Sequence, residues 1–227
     1  MNTSGPEMYE QYVVLTWMAD WSEDLIEAGQ VGRKKQVLDV ACGTGIVARK
    51  AAGLVRTGGR IAALDLSKGM LWVARECAAR EGATTIEWYH GDVSRMPFSS
   101  GEFETILCRQ GLQFFPDKAG ALREMKRVLA LKGTRALSVW DRPEESPHVP
   151  VIIEVFFRVF RRGFGNHLQD CLFAFQSGGA QKSGGGCRVF PHTNPVRCEN
   201  CPSPFASRIP SGIFLSTAGC RTGYGNA

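Results

Sequence analysis

Val37-Leu38-Asp39-Val40-Ala41-Cys42-Gly43-Thr44-Gly45 is the stretch that decides how this chain folds. A short apolar run, Gln36 to Ala41, ends at a glycine-rich turn, and Ile46 to Val55 then resumes an apolar pattern at three- and four-residue steps. That order reads strand, turn, helix. Gly43 and Gly45 free the backbone for the turn and for close approach of a ligand, and the helix start presents unpaired N–H groups to it.

Upstream, Tyr9, Tyr12, Val13, Trp17, Trp21 and Leu25 recur at helical steps between Glu7 and Ala28, and Gly29 and Gly32 end that helix. Downstream, Ile61 to Leu66 reads as a second strand, with Ser67 as N-cap for a helix over Met70 to Ala79. Thr85 to Tyr89, Phe103 to Cys108 and Thr134 to Trp140 supply three more strands. Ala119 to Leu129 is a helix behind Pro116 and Asp117. Strands that alternate with helices at this spacing form parallel βαβ units. The expected fold is therefore an α/β, Rossmann-like, doubly wound sheet of order 3-2-1-4-5, with ligands bound beyond the carboxyl ends of its strands.

Three acids fall at three of those strand ends. Gly43-x-Gly45-x-x-Ala48 with Asp65 suits a dinucleotide, which keeps an NAD(P)-dependent oxidoreductase as a competing reading. Asp39 argues against it, because a carboxylate near that loop repels a pyrophosphate but suits the ammonium and sulfonium groups of S-adenosylmethionine. Asp92, in Gly91-Asp92-Val93-Ser94-Arg95-Met96-Pro97-Phe98, is placed to accept from an adenine amino group.

Taken in order, these segments resemble the class I S-adenosylmethionine-dependent methyltransferases, especially the group that includes the ubiquinone and menaquinone biosynthesis enzymes. The resemblance runs from about Glu7 to Arg162. It implies that Asp39, Ala41, Gly43, Thr44 and Gly45 line the methionine part of the cofactor. It further implies that Asp65, with Leu66 and Met70, serves the ribose side, and that Gly91, Asp92 and Val93 frame the adenine. Cys108, Arg109 and Gln110 open the segment Cys108 to Asp117, which in the family closes over the methionine end and faces substrate. Gln113 is a further polar candidate there, and Tyr9 and Tyr12 lie on a helix that covers the pocket in relatives. The implied activity is methyl transfer to a small-molecule acceptor, with no catalytic base required, since positioning and water exclusion supply much of the rate. An inactive, cofactor-binding remnant is the other reading.

Each of these residues also has a plainer use. Asp beside Gly commonly caps a helix or turn, which applies to Asp39 and Asp92. His90 reads as a hydrogen-bonded strand-end residue rather than a base. Trp17, Trp21, Phe114 and Phe115 read as packing, and Arg123, Lys126 and Arg127 as cations on a solvated helix end.

The 227 residues suffice for one domain of this kind. No apolar run approaches the roughly 20 residues of a membrane span and no signal-peptide pattern opens the chain, so the expected location is cytoplasmic. Of the formal charge of +5, +3 comes from residues 163–227, and the rest shows no basic, aromatic-laced patch for nucleic acid. Cys42, Cys77 and Cys108 read as buried thiols.

Residues 1–162 are therefore expected to form the methyltransferase domain. Residues 163–227 change character, with eleven glycines, five prolines, five cysteines and two acids. The sixth and seventh strands of the family are not legible there, which would leave the fifth strand as an open edge. A shift of reading frame near residues 163–177 explains the change. The rival reading makes Cys187, Cys198, Cys201 and Cys220, with His192, ligands of a structural zinc, on one Cys-x-x-Cys pair alone.

Overall fold

The computed structural model describes residues 4–33, 35–55 and 58–139, and the backbone of a strand at 213–217. The helices are α1 (Gly5–Tyr9), α2 (Trp21–Ala28), α3 (Ile46–Ala52), α4 (Lys68–Glu81) and α5 (Lys118–Val128). The strands are β1 (Gln36–Val40), β2 (Arg60–Asp65), β3 (Ile86–His90), β4 (Phe103–Arg109), β5 (Leu129–Ser138) and β6 (Ile213–Thr217). β1 to β5 are parallel in the order β3-β2-β1-β4-β5, as the sequence predicts, and β6 joins antiparallel outside β5.

Alternation along the strands sorts the core into two layers. Val37, Ile61, Ala63, Leu107 and Ala136 meet Leu25, Ile26, Val47, Ala48 and Leu71 on one face of the sheet. Leu38, Val40, Ala62, Leu64, Ile106, Cys108 and Leu137 meet Phe98, Met125 and Val128 on the other. In-register pairing of Asp39 with Leu107, and of Arg109 with Ser138, puts Asp39, Arg109 and Ser138 on the first face, at the carboxyl ends of β1, β4 and β5. Cys108 points to the other.

The helix caps follow the sequence: the Ser67 hydroxyl accepts from Met70 N at 3.3 Å, and Asp117 accepts from Gly120 N at 2.8 Å. Three expectations need correction. The single helix over Glu7 to Ala28 is instead α1, a π-helical segment Glu10–Met18, and α2 after a turn at Ala19 and Asp20. β5 begins at Leu129, directly from α5, five residues before Thr134, because the chain turns into the sheet without a connecting loop. The edge of β5 is not open, since β6 pairs with it from Thr134↔Thr217 to Ser138↔Ile213, although residues 163–227 carry no legible strand period. Trp140 and the zinc candidates Cys187, His192, Cys198, Cys201 and Cys220 lie outside the described residues, as does the stretch assigned to a frame shift.

Candidate cofactor site

β1 runs out into a tight turn that only certain residues can make. Ala41 and Gly43 both have positive φ, and Gly45, at φ 81°, sits so close to Trp88 that a Cβ would lie 2.5 Å from its ring. The neighbouring strand β4 ends alike, with Gln110 at φ 54° beside Arg109. Non-glycine residues adopt this conformation at a cost of about 1–2 kcal/mol each. Ala41 and Gln110 thus hold strain on both sides of the crevice between β1 and β4, where the sheet order reverses and open α/β sheets bind ligands.

Asp39 caps α3 with one oxygen and leaves the other unpartnered. Oδ2 accepts from Ala48 N at 3.1 Å, in the first turn of α3, while Oδ1 is buried with no hydrogen-bond partner. Burial raises the carboxyl to about 7, against the opposing field of Arg109. An unanswered, desolvated carboxylate oxygen is a demand for a cation or a donor. Asp39 borders a small, partly open cleft lined also by Tyr9, Ala41, Cys42, Gly43, Thr44, Val47 and Arg109. The Thr44 hydroxyl is likewise buried without a partner, as are Gln110 Oε1 and the Ser138 hydroxyl.

Asp65 accepts from Gly43 N through Oδ2 and from Ser67 N through Oδ1, both at 2.8 Å. It therefore braces the β1 turn, with a lone pair left on each oxygen for a further donor. Burial raises its pKa, and the two backbone N–H groups and His90 hold it down. Leu66 beside it is 67% exposed, an apolar surface at the mouth of the site, and Met70 lies in the first turn of α4. Gly91 N donates to Asp65 O, which carries the β2–β3 ladder one residue further. Asp92 caps the turn Val93–Arg95 through Ser94 N at 2.8 Å, and the buried Val93 anchors that turn in the second core layer. His90 Nε2 meets Leu66 O at 3.0 Å, the strand-end role expected of it.

Cys108 belongs to the packing. Its thiol is fully buried beneath Gly111, on the face opposite Asp39, and burial pushes it up to about 12. Cys42 and Cys77 are also buried free thiols. Phe115 is buried as expected, but Phe114 is 44% exposed. Arg127 does more than face solvent: it bonds the carbonyls of Phe98 and Met96, pinning the loop before β4.

Sequence reading missed a buried ion cluster behind the cleft. Arg49 of α3 bonds Glu10 at 2.5 Å and also Glu81, with only 1% of the Arg49 side chain exposed. Arg109 Nη1 donates to Met18 O at 2.6 Å, and Lys50 donates to Ala19 O at 2.8 Å. The segment from Glu10 to Ala19 is thus held by three cations of the body. The available signal was charge sparsity: residues 5–28 contain no Lys or Arg, so Glu10 had to find its partner elsewhere.

Residues 37–133 match a family model described as a methyltransferase domain. Demethylmenaquinone methyltransferase of Shouchella clausii is 31% identical over 63% of this chain and 59% of its own length. Demethylmenaquinone methyltransferase of a Listeria monocytogenes strain is 32% identical over 62% of this chain and 58% of its own. The chain thus spans less than two thirds of these relatives. A SAM-dependent methyltransferase from Aquifex aeolicus shares the fold, at a TM-score of 0.50 and 24% identity over 60% of this chain and 77% of its own. So does the [4+2]-cyclase SpnF, at a TM-score of 0.50 and 23% identity over 53% and 44%.

Proposed function

We propose that this chain, whose residues 37–133 match a methyltransferase-domain model and whose parallel strands run in the order β3-β2-β1-β4-β5, binds S-adenosylmethionine and directs its methyl group to a small-molecule acceptor. The observation that carries this reading is the orphaned, buried Oδ1 of Asp39, a residue that lines the cleft. An ammonium group answers it; a pyrophosphate would be repelled by it, and no comparison favours a nicotinamide enzyme.

The residues present fit the cofactor. Asp39 takes the amino group, Arg109 on the same cleft takes the carboxylate, and the Thr44 hydroxyl supplies a further polar contact. Asp65 takes the ribose hydroxyls from below the Gly43 turn, and Leu66 with Asp92 and Val93 frames the adenine. Once bound, the cofactor supplies an electrophilic methyl group on a sulfonium. The chain holds the acceptor in line with it and excludes water, with Gln110 and Ser138 offering polar groups at the ends of β4 and β5.

The named relatives support a small organic acceptor and put demethylmenaquinone first in a substrate screen. Residues 1–162 form the catalytic part under this reading, and β6 pairs along its β5 edge. Among the described residues no helix is long and apolar enough to cross a membrane.

Calorimetric titration with S-adenosylhomocysteine, with NADH as control, tests the reading. Saturable binding of the former alone, weakened at least tenfold by Asp39→Asn, is expected. Binding of NADH instead would overturn it.

A further inference from the structure

Arg109 has two obligations. Its side chain lines the cleft beside Asp39, and its Nη1 donates to the Met18 carbonyl at the end of the π-helical segment. Burial pulls its pKa down, and the compensating fields come from Tyr9, Asp39 and Glu10. Glu10 is already bonded to Arg49. Under the function proposed above, Asp39 is taken by the cofactor amino group, so the guanidinium loses the second of its two carboxylate neighbours when cofactor arrives.

A guanidinium has five donors in a planar fork. With Nη1 turned to Met18, the Nε–Nη2 edge remains, and that edge is one a carboxylate takes side-on with two parallel bonds. We propose that Arg109 is a positioning residue that bridges the cofactor carboxylate to the Met18 carbonyl, so that cofactor binding fastens the Glu10–Met18 segment over the cleft. The carboxylate restores the counter-charge that Asp39 gives up, and a neutralised fork holds the Met18 carbonyl without the cost of an unpaired buried cation.

The segment has reason to need fastening. Its backbone closes on π-type spacing, as in Ala19 N to Val14 O at 2.9 Å, and Tyr12 and Leu15 lie 49% and 58% exposed, so little burial holds its outer side. Tyr9, which lines the cleft, contacts Met18 Sδ through its hydroxyl at 3.6 Å. Movement at Met18 therefore reaches the cleft wall directly.

Hydrogen exchange on the full chain separates this from simple lid packing. Saturating S-adenosylhomocysteine is expected to slow amide exchange across residues 10–19 by at least fivefold. 5′-Methylthioadenosine, which has the nucleoside but no amino-acid half, should leave it unchanged at matched occupancy. Arg109→Lys, which keeps the charge and loses the fork, should bind S-adenosylhomocysteine more weakly and show no protection at saturation. Equal protection by both ligands, or unchanged or faster exchange with bound S-adenosylhomocysteine, overturns the bridge alone. A folded sample that binds neither ligand overturns the bridge together with the function it rests on.

Discussion

Asp65 accepts the Gly43 amide at 2.8 Å, so the turn that follows β1 is held in shape by a side chain at the end of β2. The same side chain is the one proposed to take the ribose hydroxyls. Asp65→Ala should therefore cost twice: about 1–3 kcal/mol of stability from the orphaned Gly43 and Ser67 amides, and a fall of thirtyfold or more in S-adenosylhomocysteine affinity. Asp65→Asn keeps one acceptor oxygen and should fall between the two. Thermal melts and calorimetry on both variants check this. Unchanged affinity in a destabilised Asp65→Ala would reduce the residue to a brace.

Asp39 makes affinity and stability respond to pH in opposite directions. Its carboxyl is raised from 3.8 to about 7, so the folded state binds more protons than the unfolded one between those values. Stability of the ligand-free protein should then decline as pH rises from 4 to 7, by at most about 4 kcal/mol from this group. Cofactor binding uses the charged form, so affinity for S-adenosylhomocysteine should rise up to tenfold per unit below pH 7 and level off above it. Asp39→Asn should flatten both profiles. Denaturant melts and titrations at pH 5.5, 6.5 and 8 would show it.

The Glu10–Arg49 pair is a test of burial. Arg49→Met leaves Glu10, whose side chain is 7% exposed, without its cation, a loss of about 3–5 kcal/mol. Glu10→Met with Arg49→Met removes both charges and should recover most of it. A double-mutant cycle in urea is the measurement, and a double variant no more stable than Arg49→Met would contradict the pairing.

Gly45→Ala should destabilise by 1–3 kcal/mol, about 1 kcal/mol of it from the left-handed backbone and the rest from the Trp88 ring. Adding Trp88→Leu should return only the second part, since it makes room without changing φ.

Strain and function should part company at Gln110. Gln110→Gly relieves its φ of 54° and is expected to raise the melting temperature by a few degrees while lowering turnover. A variant with undiminished turnover would remove Gln110 from the acceptor side.

The sheet was legible because its signals are local: apolar runs, the Gly43 and Gly45 turn, the Ser67 and Asp117 caps. Asp39 and Asp65 could be singled out by the chemistry of strand ends, although nothing in the sequence says that Asp39 caps α3 with one oxygen and buries the other without a partner. The Arg49–Glu10 pair joins residues 39 apart, and the Arg109–Met18 bond joins residues 91 apart through a backbone carbonyl that carries no side-chain signal. β6 escaped for a related reason: an edge strand of five residues is fixed by what it pairs with more than by its own pattern.

That pairing has a consequence for divergence. Ile213 of β6 lies beside Ser138 of β5, so β5 ends and β6 begins at the same end of the sheet, where Asp39 and Arg109 also lie. Joining two fixed points by chain costs entropy that grows only with the logarithm of the length, about 0.6 kcal/mol for each doubling. Under the function proposed above, residues exchanged between Ser138 and Ile213 leave the β1 turn and its Asp39 and Asp65 contacts as they are, which makes this junction a natural place for the choice of acceptor to diverge.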